Sequence, residues 1–105
     1  MSTKEELFAK GLGAYGKGNL DEAITAFKDA LELDPAYADA YFAMANSLNK
    51  KGNLDEAITA IKKAIDLNPN EVLYHTELSR LYVQLKMVPE AEAAKAEAMR
   101  LQRGR

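Results

Sequence analysis

The chain has 105 residues, 48% hydrophobic and 29% charged, and its 16 acidic side chains against 14 basic ones leave a net charge of −2. That length suits one domain with a real core, and the balanced charge gives no electrostatic footprint for nucleic acid or an anionic membrane. The absence of cysteine excludes disulfides and thiolate metal sites, and a single histidine argues against any other metal-ligand cluster.

The N-terminal M-S-T-K-E-E lacks an apolar signal core, and no apolar run approaches the ~18 residues of a membrane span, so a soluble, cytoplasmic protein is expected. The first predicted helix covers residues 3–17. It contains Gly11, Gly13 and Gly16 in a G-x-G-x-x-G spacing, which elsewhere cradles a dinucleotide phosphate. That chemistry requires a preceding strand, and M-S-T-K-E-E-L-F-A, with three charges and no β-branched run, is a poor one. A second helix is expected over 20–33, with Asn19 as N-cap, Glu22 three residues on in a relaxed capping box, and Gly18 as the left-handed turn residue. Pro35 then ends it. The third and fourth helices, 37–50 and 54–67, repeat this layout with Gly52, Asn53, Glu56 and Pro69. The fifth and sixth fall at 71–86 and 89–102.

The chain repeats itself. Residues 18–35, G-N-L-D-E-A-I-T-A-F-K-D-A-L-E-L-D-P, match residues 52–69, G-N-L-D-E-A-I-T-A-I-K-K-A-I-D-L-N-P, at 13 of 18 positions with an offset of 34. A degraded third copy follows at K-M-V-P-E-A-E-A-A-K-A-E-A-M-R-L-Q-R. Small residues recur in columns: Gly11, Ala45 and Ser79; Ala23, Ala57 and Ala91; Ala30, Ala64 and Ala98. They allow two helices to approach closely. Large apolar residues fill other columns, Leu7 with Tyr41, Met44 with Leu78, Leu48 with Tyr82, and Phe27 with Ile61, at helical spacing. Gly13 and Gly16 align with Ser47 and Lys50, which places them within a helix and rejects the phosphate loop.

A 34-residue helix–turn–helix unit with these columns resembles the tetratricopeptide repeat. The resemblance spans nearly the whole chain as three units, about 4–37, 38–71 and 72–105. It is carried by Leu7, Gly11, Ala23, Phe27, Ala30 and Pro35, then by Tyr41, Ala45, Leu48, Ala57, Ile61, Ala64 and Pro69, and last by Leu78, Tyr82, Ala91 and Ala98. Lys10, His75, Lys86 and Arg103 depart from the pattern. The resemblance implies an all-α fold: six helices stacked as a right-handed α-solenoid, forming a single domain.

It also implies binding rather than catalysis, with no cofactor. His75 stands in a packing column, and the acids Asp21, Glu22, Asp55 and Glu56 sit at helix N-termini where dipole and capping roles explain them. The family's first helices line a concave groove for a peptide or a partner's helix. The aligned groove positions are Glu5, Phe8, Leu12, Tyr15 and Gly16, then Asp39, Phe42, Asn46, Asn49 and Lys50, then Leu73, Thr76, Arg80, Val83 and Gln84. Among them Phe8, Leu12, Phe42, Leu73 and Val83 make an apolar surface, while Asn46 and Asn49 suit a peptide backbone and Arg80 a carboxylate. The positions at which chaperone-binding members grip a C-terminal carboxylate hold Phe8, Leu12, Ala43, Leu73 and Glu77, so that two-carboxylate clamp is absent. An apolar or amphipathic protein ligand is expected, with no nucleic acid and no membrane. The competing expectation is a self-associating structural protein. Glu92 and Lys95 occupy columns that would meet a further unit, which points to a whole array that is monomeric or, through Met99 and Leu101, weakly dimeric.

Overall fold

The computed structural model describes residues 2–104 and contains, among them, six helices and no strand. These are α1 (Lys4–Gly16), α2 (Leu20–Leu33), α3 (Ala38–Lys51), α4 (Leu54–Leu67), α5 (Val72–Gln84) and α6 (Val88–Arg103). Each packs on the next along the chain, and α1 also touches α3. The contact of α4 with α5 is the slimmest of these sequential contacts. With extents of 43 × 29 × 19 Å, the stack is elongated and flattened, as an α-solenoid requires. No helix among the described residues is long and apolar enough to cross a membrane.

The helix pairs are held by the small-residue columns. Gly11 is buried against the ring of Phe27, itself wholly buried; a Cβ on Gly11 would stand 2.6 Å from Phe27 Cδ1. In the second unit Ala45 and Ile61 occupy these positions, both fully buried. In the third, Ser79 donates its hydroxyl to the Ala91 carbonyl at 2.9 Å, joining α5 to α6. The remaining core is alanine-rich, with Ala23, Ala30, Ala57 and Ala64 at zero exposure. A Cβ on Gly13 or Gly16 would meet nothing within 4 Å. They lie on the open side of α1, which closes the question of a phosphate loop: the three glycines belong to one helix.

Within each unit the turn is closed by backbone rather than by side chains. Gly18 and Gly52 are left-handed, with φ of 81° and 89°. The following N–H reaches back five residues, Asn19 to Ala14 at 2.9 Å and Asn53 to Leu48 at 2.9 Å, in a Schellman-type closure. Asn19 and Asn53 do precede α2 and α4, but neither side chain caps its helix, which corrects the expected capping boxes with Glu22 and Glu56. Their ψ values of 74° and 71° depart from the extended backbone that aims a capping oxygen at the first turn. Met87 shows that no polar side chain is needed there: it has ψ 75° and sends its N–H to Tyr82 at 2.9 Å. Among the described residues the one complete capping box lies at Thr3, whose hydroxyl accepts from Glu6 N–H while its own N–H meets Glu6 Oε1, both at 3.1 Å.

Two predictions follow from backbone and packing. Gly11→Ala forces the Phe27 ring to move and is expected to destabilise the fold by about 1–3 kcal/mol. Gly13→Ala instead gains about 0.4–1 kcal/mol, because it only restricts the unfolded chain. Chemical denaturation of both variants checks this, and equal effects would contradict the packing account. Lys86 holds φ 60° where the other units have glycine. Lys86→Gly is therefore expected to raise stability by about 1 kcal/mol, read as a higher thermal midpoint.

Candidate functional site

The first helices α1, α3 and α5 form one row, joined by side chains. Lys50 Nζ lies 4.9 Å from the centre of the Tyr15 ring, joining α3 to α1. Phe42 stacks on Tyr74 with centroids 5.2 Å apart, and the Tyr74 hydroxyl donates to Asp39 Oδ1 at 2.5 Å, joining α3 to α5. Burial, and then this hydrogen bond to an anion, push the Tyr74 phenol well above the usual tyrosine range. Tyr74 is therefore a neutral donor at any physiological pH. Its column, shared with Ala40 and Glu6, gave no signal of this role.

The predicted groove residues divide into three kinds. Leu12, Leu73 and Val83 stand open at 46%, 60% and 60% exposure. Phe8, Tyr15, Phe42, Asn46 and Asn49 are half-buried. Phe8 packs on Phe27 and Tyr37, with centroids 5.7 and 5.1 Å away, so it supports the α1–α2 pair as well as facing outward. The third kind is polar and exposed: Lys50, Thr76 and Arg80. Thr76 gives its hydroxyl to the Val72 carbonyl at 3.1 Å. Arg80 pairs with Glu77 at 3.3 Å, a carboxylate that is itself 5% exposed. Thr76 and Arg80 also line a cleft of about 280 Å³ with Ser79, Lys95 and Met99, at the end of the stack. They thus stand between the row and that end. His75 is buried, with Nε2 2.7 Å from the Pro69 carbonyl, which fixes its proton on that nitrogen and ties α5 to the preceding turn.

With this geometry the comparisons become informative. The family model of the tetratricopeptide repeat matches residues 8–72 and again 42–104. The chain belongs to the tetratricopeptide repeat family. Among solved structures, the crystal structure of MamA superposes with a TM-score of 0.95 at 24% identity, over 97% of this chain and 60% of MamA. The chain thus spans well under two thirds of that relative. The first tetratricopeptide domain of Spaghetti (RPAP3), bound to the HSP90 peptide SRMEEVD, has a TM-score of 0.92 at 18% identity, over 98% of this chain and 82% of that one. The TPR2B domain of yeast Sti1, in complex with pHsp70, has a TM-score of 0.90 at 24% identity, over 93% and 78%. No curated protein matches the sequence at a significant level.

The N-terminal end of the row is latched by Lys4. Its ammonium meets Asp34 Oδ2 at 2.5 Å and lies 5.3 Å from the Tyr37 ring on which Phe8 packs. Asp34 also accepts from the Ala36 N–H at 3.0 Å. These two hydrogen bonds, Lys4 first, hold the Asp34 carboxyl below its ordinary range, and the same pair raises Lys4. A depressed carboxyl contributes stability above its unfolded pKa and loses it as pH falls; a raised amine contributes below its own and loses it as pH rises. Lys4→Met is therefore expected to lower the thermal midpoint near neutral pH, with the difference shrinking in acid as Asp34 protonates. An acid-independent difference would show that the lysine acts through packing alone.

Proposed function

We propose that the three units act together as one protein-interaction domain, and that the row formed by α1, α3 and α5 receives an apolar or amphipathic segment of a partner protein. The observation that carries this reading is the exposure of Leu12, Leu73 and Val83 on that row, beside the half-buried rings of Phe8, Tyr15 and Phe42. Half-buried Asn46 and Asn49 on the middle helix offer both a donor and an acceptor to a peptide unit. A relative of the same fold bound to a peptide supports a protein segment as the ligand, though not its apolar character. It does not supply the mode of recognition. The aligned carboxylate-clamp positions here are Phe8, Leu12, Ala43, Leu73 and Glu77, none of which supplies a cation for a terminal carboxylate. Nothing in this reading calls for a catalytic group.

Self-association is the second reading. Met99 is 45% exposed and borders the cleft at the end of the stack. Lys95 beside it is the feature that opposes a further unit stacking there. Light scattering across a wide concentration range separates the readings, since end-to-end assembly raises the mass and a peptide-binding monomer does not.

Selection from a random peptide library on the immobilised chain, followed by calorimetry, tests the groove. Selected peptides are expected to be apolar, and Leu12→Asp and Leu73→Asp each to weaken them by about 1–3 kcal/mol while the fold is retained. Phe42→Ala is expected to have the larger effect, about 2–4 kcal/mol, as a half-buried aromatic anchor. Peptides that bind all three variants like the parent chain would remove the groove from the account.

A further inference from the structure

A second concavity lies on the other side of α3. It has a volume of about 310 Å³ and sits between α2, α3 and α4. At about 100° per residue, Phe42, Asn46 and Asn49 lie on one side of α3, while Tyr41, Met44 and Leu48 lie on the opposite one. Those last three, with Ala60 of α4, make its apolar floor. Lys28 of α2 and Lys63 of α4 stand at its rim, and neither is in an ion pair with another described residue. The one acid on the lining, Glu56, is two helical turns before Lys63 on α4, about 10 Å away along the axis. The cleft is thus apolar at its floor and cationic at one end.

The next unit differs at the matching positions. Moving 34 residues along takes Leu48 to Tyr82, Lys28 to Lys62 and Lys63 to Glu97. In that next unit Tyr82 is buried, with the Lys62 ammonium 5.8 Å from its ring centre, and Glu97 pairs with Arg100. There the column holds a larger side chain, and Lys62 and Glu97 are both engaged. Around Leu48 the column holds a smaller side chain, and neither Lys28 nor Lys63 is in an ion pair with another described residue.

We propose that this cleft is a docking site, separate from the groove, for a segment of a partner protein that inserts one apolar side chain onto Tyr41, Met44 and Leu48 and places adjoining carboxylates against Lys28 and Lys63. An apolar anchor in a partly enclosed pocket supplies affinity, and the two ammonium groups select an acidic flank. A basic flank is rejected by the same charges.

The test is a ¹H–¹⁵N titration of the full chain with a blocked tripeptide probe, phenylalanine between two aspartates. Saturable shifts are expected to cluster on Tyr41, Leu48, Thr59 and Ala60, and Leu12→Asp leaves them unchanged. The double substitution Lys28→Glu with Lys63→Glu, both on the surface, is expected to weaken the probe about tenfold, in line with two exposed charge pairs inverted. Leu48→Tyr copies the next unit and is expected to abolish binding. The same tripeptide with lysines in place of the aspartates is expected not to bind. Shifts that cluster instead on Leu12, Asn46 and Leu73, no saturable shift at millimolar probe, or equal binding by the charge-reversed variant would each overturn the proposal. The groove reading stands or falls on its own variants.

Discussion

The structure depends on how closely the two helices of each unit approach. At that contact a small residue on the first helix faces a side chain on the second, and the two sizes compensate. Gly11 faces Phe27, whose ring leaves no space for a Cβ. The second unit has Ala45 and Ile61 at the same positions, and the third has Ser79 and Lys95. As the side chain on the second helix ceases to be an apolar knob, the facing residue grows, and Ser79 substitutes a hydrogen bond to Ala91 for the lost packing. Close-packed interiors require such a trade, because a void or an overlap of one methylene is felt directly. With the pair distance fixed, the row of first helices and the layer of second helices follow.

That arrangement explains why the units differ where they do. The turns and second helices of the first two units are nearly identical, with 13 of 18 positions shared. The first helices diverge more. Of the residues they direct away from their partners, Leu12, Asn46 and Arg80 occupy one column, and Tyr15, Asn49 and Val83 are three residues further on in each unit. A surface with different chemistry at each step is what a binding row needs. Behind α3 the units differ as well, with Tyr41, Met44 and Leu48 giving way to His75, Leu78 and Tyr82.

Electrostatics tighten this frame at its edges. Lys4 with Asp34 and Lys51 with Asp21, each at 2.5 Å, tie first helices to the ends of α2 across 30 residues of sequence. These pairs are largely exposed, and exposed pairs contribute little individually. Their effect is to fix where helix ends lie. Tyr74 and Asp39 do the corresponding work inside the row, with a buried donor on an exposed acid. The turns need less: a left-handed residue and a backbone N–H suffice, and Met87 manages without a polar side chain.

By itself the sequence determined the periodic part of this protein. The 34-residue offset, the alanine columns and the left-handed glycines placed all six helices to within two residues of their observed ends. They also identified the three glycines of α1 as helical. Such features are legible because periodicity and backbone conformation are local, and each recurs where it can be compared with itself. The tertiary structure alone decided the rest. Asn19 and Asn53 carry the residue type of a cap, but the tight turn spends their backbone on the preceding helix. Phe8 and Phe42 read as exposed floor, whereas the ring contacts with Tyr37 and Tyr74 half-bury them. The cleft behind α3 could not be read from the columns, because its lining comes together from three helices, α2, α3 and α4. Contacts between units depend on side chains distant in sequence, and no period records them.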